Sequence, residues 1–469
     1  MSDEAREVVV IGAGLSGLVC AHRLKSLGVD LLLLERSDRV GGVMRTDRAG
    51  EFMIERGPNS SQGTEELLAL VEELGINDDL VEGDPKAPAY VYFNKQLHAV
   101  PSGPGAFIKS NLLSARGKLR ILFEPLVGVR RSGTEESVAA FARRRIGREA
   151  AERMVAPFVS GVYAGDPEAL SVQAAFPRLV NLETGYGGLI RGAIAKAREA
   201  QRDKKSASAV LDKAAPTRKR LVSFREGMGF LPQTLAARLG EDLITGITDS
   251  GVRNRDGRGF TIEFNRSGNH SRINCKEVII ATPSTVASSL VAPISNELSM
   301  LLDEIQYPPL SIVYLAYKKS AIKTALDGFG FLVAPAEGLN ILGCVWNSSL
   351  FDGRAPHDTA LLTVFIGGAR NPQAARLEDA ELVSTAHSEL QSALGISSEP
   401  QPVAITRWER AIPQYNLGHA ARVRRIENLV KEIAGLNLIG NYLHGVSTGD
   451  VIKEADRVAR EVAGSISSV

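Results

Sequence analysis

An apolar run that passes without a break into three closely spaced glycines constrains this chain more than any other feature. Residues 8–17 read VVVIGAGLSG, and a helical pattern follows through Leu27. Four apolar residues in a row suit a buried strand. Gly12 permits a tight turn after it, Gly14 lets the backbone approach a pyrophosphate, and Gly17 lets the next helix lie against the strand. With Ala13, Leu15 and Ser16 these glycines form a turn at a helix N-terminus, where unpaired amides and the helix dipole favour an anion. A second apolar run, residues 31–34, ends at Glu35 and Arg36. Glu35 falls near the ~20-residue offset of an acid that accepts ribose hydroxyls. A carboxylate there repels a 2′-phosphate, so NADP is disfavoured. FAD and NAD both remain open on these residues alone.

Residues 39–46 (RVGGVMRT) add a second glycine doublet. It resembles the doublet that follows the second strand in the FAD superfamily of amine oxidases, phytoene desaturases and protoporphyrinogen oxidases, which NAD dehydrogenases lack. The resemblance selects FAD. Gly41, Gly42 and Val43 would bring backbone close to the diphosphate or ribityl chain, and Arg45 would offer it positive charge.

At 469 residues the chain is too long for one core and implies two or three domains. Its hydrophobic fraction of 44% and charged fraction of 23% are those of a globular protein. A net charge of +1 gives no support to nucleic-acid binding. No apolar run approaches the ~20 residues of a membrane-spanning helix. The first strand begins too early for a signal or transit peptide, so a cytoplasmic protein, or one on the cytoplasmic face of a membrane, is expected. Cys20, Cys275 and Cys344 are far apart and the histidines show no metal-ligand spacing, so neither a disulfide framework nor a metal is expected.

The pattern along the chain predicts a Rossmann-like α/β FAD-binding domain built from discontinuous segments, residues 1–84, 221–299 and 421–469, beside α+β substrate-binding parts. Residues 277–283 (EVIIATP) read as a buried strand returning to the same sheet, and residues 436–450 (LNLIGNYLHGVSTGD) as a strand, a glycine turn and a helix. Residues 300–420 hold alternating strands of a mixed sheet, including 311–317 and 361–368. Residues 85–220 form a mainly helical, membrane-associating insert with amphipathic helices over 112–126 and 136–146. Its end, residues 196–220, reads as a mobile charged loop, and the run Arg143, Arg144, Arg145 as a solvated helix face.

At this point the resemblance narrows to the protoporphyrinogen oxidase family. Residues 57–60 (GPNS), 157–167 (PFVSGVYAGDP), 328–335 (GFGFLVAP), 348–351 (SSLF), 365–368 (FIGG) and 408–419 (WERAIPQYNLGH) carry it, nearly end to end. It implies oxidation of a porphyrinogen to a porphyrin by non-covalently held FAD, with O2 as acceptor. Such a reaction needs no side-chain nucleophile or metal, because the cofactor supplies the redox chemistry. Gly57, Pro58, Asn59 and Ser60 would pass beside the isoalloxazine, with Asn59 facing the substrate. Phe365 matches a position that stacks on the macrocycle, Leu332 and Val345 match apolar positions that sandwich it, and Gly161 lies in a matching segment. Trp408, Val446, Ser447 and Thr448 match flavin contacts, and the helix starting near Thr448 would direct its positive end at the flavin.

Two positions depart from the family. Ala89 stands where many members have an arginine that pairs with a substrate propionate, and Ser447 stands where many have glycine or alanine. Three readings follow: a protoporphyrinogen oxidase, a coproporphyrinogen-oxidising relative, or a non-catalytic FAD-binding scaffold. Oligomeric state stays open, a homodimer included.

Overall fold

In the computed structural model, which describes residues 4–130, 134–207, 221–255 and 257–467, the first apolar run becomes the strand Glu4–Ile11. It pairs in parallel with Leu31–Leu34 on one side and Asn269–Ile280 on the other. Leu243–Ile244 continues the sheet beyond Leu31–Leu34. The strand Asn269–Ile280 is long enough to pair twice along its far edge. Its first half meets the antiparallel strand Phe260–Arg266, and its last residues meet the parallel strand Leu436–Leu438. With Ile247–Asn254 outermost, the sheet has seven strands among the described residues.

Both faces of this sheet are covered, which explains the unbroken apolar runs. Val8 and Val10 pack on the helices Leu15–Ser26, Phe230–Leu239 and Thr448–Ser467. Val9 and Ile11 pack on Ser284–Val291, Asn296–Asp303 and His419–Glu432.

A second seven-stranded sheet runs in the order Gln401–Trp408, Leu310–Lys318, Thr359–Gly367, Ile341–Val345, Gly330–Val333, Ala89–Phe93, Gln96–Ala99. Val313, Phe331, Cys344 and Val364 bury one of its faces against the helix Asp379–Leu394.

Four expectations for residues 85–220 are corrected. The stretch opens with a hairpin of the second sheet, because Asn94 and Lys95, at φ 52° and 58°, form a two-residue turn of the kind that suits strand twist. The helix expected over 112–126 stops at Leu122, and Pro125 sits in the separate short turn Glu124–Leu126. The charged loop is helical at its start, since Leu189–Ala207 is rich in Ala, Arg and Lys; residues 208–220 lie outside the described residues. The basic run is a solvated face only at Arg143, which is exposed. Arg143 pairs with Glu168, Arg144 with Glu136 and Glu183, and the fully buried Arg145 with the fully buried Glu124. Glu124 also accepts the amides of Leu189 and Ile190 at 2.8 and 3.1 Å.

One buried acid ties the second sheet to the loop that leads into the helix Phe230–Leu239. Glu55, at the end of the strand Phe52–Glu55, accepts the Met228 amide at 2.9 Å and the Thr46 hydroxyl at 2.6 Å. Its main-chain oxygen accepts the Tyr314 hydroxyl of the second sheet at 2.5 Å. Arg354, also buried, lies 3.8 Å from its carboxylate and donates to Ser223 Oγ and the Phe224 carbonyl.

Burial pushes the Glu55 carboxyl up to about 7, against the opposing pull of Thr46, the Met228 amide and Arg354. A carboxyl raised above its unfolded value of 4.5 contributes stability that is full below that pH and is lost as pH rises through 7. The loss is on the order of 3 kcal/mol. Glu55→Gln should flatten the fall in urea midpoint between pH 4.5 and 7.5, and identical slopes for the two proteins would overturn the assignment.

Candidate active site

The glycine turn divides its labour. Gly12 takes φ 104° and donates its amide to Leu34 O at 2.7 Å. A Cβ at Gly17 would lie 1.9 Å from Gly12 O, so this glycine is required by the fold itself. Gly14 is different. Its φ of −70° suits any residue, and a Cβ there would meet no protein atom within 4 Å. Gly14 caps the helix Leu15–Ser26 with no side-chain hydrogen bond and no acid in the first turn. The amides of Leu15, Ser16 and Gly17 thus start a helix whose N-terminal donors have no intrahelical partner.

Glu35 stands directly beside them. Its Oε2 accepts the Ala13 amide at 2.7 Å and its Oε1 the Ser37 amide at 2.8 Å, which leaves lone pairs on both oxygens for further donors. Gly41 donates to Ala13 O at 2.8 Å, and Gly42, at φ 58°, comes so near that its Cβ would lie 3.3 Å from Gly14 Cα. The next loop packs on this one: a Cβ at Gly57 would lie 2.0 Å from Val43 O, and the Arg56 amide donates to Arg45 O. Residues 12–17, 35, 41–45 and 57–60 therefore meet.

Two predicted contacts sit less simply. Arg36 is exposed. Arg45 donates to Asp47 at 2.6 Å, and Arg56 donates to the other Asp47 oxygen at 2.9 Å. Burial raises the Asp47 carboxyl, but the two guanidiniums outweigh it and hold that group below its usual range. Arg39, Met44, Arg45 and Gln233 line a cavity of about 390 Å3 here.

At the other end of the chain, Ser447 caps the helix Thr448–Ser467. Its hydroxyl accepts the Asp450 amide at 3.1 Å and donates to the Asp450 carboxylate at 2.5 Å, so the departure from glycine or alanine serves as an N-cap. Val446 packs on a cluster containing Tyr163 and Tyr415. Trp408 Nε1 donates to Arg56 O at 2.8 Å, which sets the end of its strand against the 57–60 turn.

The free face of the second sheet carries the other predicted residues. Leu332 pairs with Gly343 and Gly343 with Phe365, while Val345 pairs with Gly330 and Thr363. By the two-residue period, Leu332, Val345, Thr363 and Phe365 all lie on the face turned away from the helix Asp379–Leu394. Gly343 lies between Leu332 and Phe365, where a Cβ would meet Phe331 O at 2.5 Å and Leu332 Cδ2 at 3.2 Å. Gly161, on the helix Ala156–Tyr163, covers Leu332 so closely that its Cβ would lie 2.2 Å from Leu332 Cδ2. Ala89 pairs with Gly330 on the same face and is exposed.

Asn59 reaches this face through a residue that sequence reasoning missed. The buried Asn347 donates to Asn59 Oδ1 and to Thr363 Oγ1, both at 2.9 Å. Asn347 directly precedes the 348–351 motif, and Thr363 is a polar residue in an apolar strand two positions before Phe365. Those were the available signals.

Gly14, whose missing side chain faces open space, together with the uncapped helix start and the placement of Glu35, fits a dinucleotide. Residues 15–463 match the family described as flavin containing amine oxidoreductase, so the chain belongs to it and is a FAD-dependent oxidoreductase. Within that family its likeness is to the protoporphyrinogen oxidases. It is 36% identical to chloroplastic protoporphyrinogen oxidase 1 of Arabidopsis thaliana, over 97% of this chain and 88% of that protein. It is 26% identical to the coproporphyrinogen III oxidase of Bacillus subtilis, over 97% of each. A solved structure from Exiguobacterium sp. 255-15 superposes with a TM-score of 0.80 at 24% identity, covering 99% of this chain and 100% of that one, and shares the fold.

The two glycines should separate in mutagenesis. Gly17→Ala should fail to accumulate as folded protein. Gly14→Ala should keep its apo melting temperature within a few degrees yet bind FAD at least roughly tenfold more weakly. Wild-type FAD affinity in Gly14→Ala would sink the cradle role.

Proposed function

We propose that this chain oxidises protoporphyrinogen IX to protoporphyrin IX, a six-electron dehydrogenation in which three O2 are reduced to three H2O2. The observation that carries this reading is the sheet face holding Leu332, Val345 and Phe365, joined through Asn347 to the turn at Asn59. Bound FAD supplies a two-electron hydride acceptor. The residues of the chain place and shield it. Amides of Leu15, Ser16 and Gly17 would hold the pyrophosphate, Glu35 would hold the ribose, and Gly42, Val43, residues 57–60, Trp408 and residues 446–448 would border the rest. Arg45 keeps its Nε on Asp47 and would meet an anion through its terminal nitrogens. The flat macrocycle lies over Phe365, between Leu332 and Val345, under the helix that carries Gly161. In this division residues 1–84, 221–299 and 421–469 serve FAD, and residues 300–420 and part of 85–220 serve the substrate.

A coproporphyrinogen-oxidising role is the second reading. It is favoured by Ala89, which leaves the substrate face without the arginine that would take a propionate there. Purified holoenzyme should turn over protoporphyrinogen IX faster than coproporphyrinogen III, and the reverse order would overturn the proposal. Phe365→Ala should lower kcat/KM by at least about tenfold while FAD content holds, since lost stacking also misplaces the reacting carbon.

We also propose peripheral membrane contact. No described helix is long and apolar enough to cross a membrane. Ile108 and Leu126 are nevertheless 71% and 75% exposed, and Leu119, Leu122 and Phe123 are exposed between them, beside Lys109 and Lys118. Apolar side chains rimmed by lysine suit an anionic lipid surface. The intact chain should float with anionic liposomes, and Leu122→Ser with Phe123→Ser should weaken this. A chain that stays at the bottom of the gradient with anionic and neutral vesicles alike would leave the helices as a substrate cover only.

A further inference from the structure

The segment 412–419 (IPQYNLGH) carries the resemblance strongly, yet no part of the proposed reaction uses Tyr415 or His419. Both side chains are buried, Tyr415 at 2% exposure and His419 at 1%. The Tyr415 hydroxyl donates to Asn441 O at 2.5 Å and faces the Gly445 amide. One phenol thus spans both ends of the turn that leads into Val446. The imidazole of His419 stacks flat on the Tyr415 ring, with centroids 4.2 Å apart and planes at 10°. Its ring nitrogens make no hydrogen bond and face the backbone of Tyr442 and Leu443. Burial, with Arg422 and His444 nearby, pushes the imidazole down to about 4, so it stays neutral.

The same segment is bonded to the substrate side. Gln414 Nε2 donates to Tyr163 O at 2.9 Å, at the end of the helix that carries Gly161, and the Ser171 amide donates to Tyr415 O at 2.8 Å. Val446 packs on the cluster that holds Tyr163 and Tyr415.

We propose that Tyr415 and His419 are positioning residues for the flavin: the stacked pair clamps the 441–445 turn and so fixes residues 446–448 against the cofactor, in register with the helix over the substrate. The proposal rests on the reading that residues 446–448 border the flavin. Stacking locks the phenol in one orientation, and the phenol's two polar contacts lock the turn. The clamp has no contact with the substrate itself.

The test measures FAD release from diluted holoenzyme by flavin fluorescence, with deuterium uptake read segment by segment. Tyr415→Phe keeps the ring stack and loses the hydroxyl. It should release FAD roughly tenfold faster, the factor that corresponds to one net hydrogen bond, and uptake should rise over residues 441–446 but not in the strand Glu4–Ile11. His419→Ala should behave alike, and His419→Phe, which restores a flat ring, should return release toward the wild-type rate. Wild-type release and uptake in Tyr415→Phe would overturn the clamp. Val446→Trp separates this from the reading beneath it. If Val446→Trp expels FAD while Tyr415→Phe is unchanged, the clamp alone falls. If neither variant affects FAD, the turn does not border the flavin and both readings fall.

Discussion

The main chains of Gly14 and Gly41 run side by side, bonded through the Gly41 amide and the Ala13 carbonyl at 2.8 Å. Gly41 holds φ 97° and Gly42 φ 58°, conformations that residues with a Cβ adopt at a cost. This contact fixes the second loop against the first. Because Arg56 is bonded to Arg45, it also fixes the 57–60 turn, and through Asn59 and Asn347 the working face of the second sheet. A cofactor that spans the first loop to that face therefore meets surfaces aligned by a chain of backbone approaches, with few exchangeable side chains among them.

The seam between the second sheet and the segments at 46–55 and 223–229 is held by a different kind of force. Glu55, Arg354, Thr46 and Tyr314 bring charge and polar groups into a region without water, where an unpaired ion is expensive and a fully bonded one roughly neutral. Such a cluster adds little to net stability. What it adds is a unique alignment, since a one-residue slip of the second sheet against the segments that hold Glu55 and Arg354 would strand a buried polar group. Apolar packing alone tolerates that kind of slip far better.

How much of this was legible in the sequence follows from the range of each interaction. Gly12, Gly14, Gly17 and Glu35 act on their own neighbourhood, so their spacing alone carries the turn and the acid beside it. Phe365, Leu332 and Val345 came from family likeness; their alternation reads equally well as ordinary core, and only the strand register puts them on one face. Asn347 and Arg354 were invisible because their links to Asn59 and Glu55 span nearly three hundred positions and no period marks them. The hairpin at Asn94 and Lys95 was obscured by a turn lacking glycine, and the helix Leu189–Ala207 by charges that read as a loop. The burial of Arg145 was missed for a related reason: its neighbours in sequence are partly solvated, and its carboxylate partner comes from another segment.

The first sheet closes with Leu436–Leu438, and one of its faces is sealed by Thr448–Ser467. During synthesis the glycine loops emerge first and the elements that bury them emerge last. Between these events the ribosome delivers the whole second sheet, whose strands pair chiefly among themselves. Domain-by-domain folding from the N-terminus is thus unavailable to the half of the molecule made earliest. The helix Thr448–Ser467 must pack on Leu15–Ser26 across most of the chain, and the entropy of that loop opposes early docking. Strands Glu4–Ile11 and Leu31–Leu34 wait as an apolar pair until Asn269–Ile280 takes the open flank, and one face of the pair waits for Thr448–Ser467, so the newborn chain exposes apolar surface that the finished one buries.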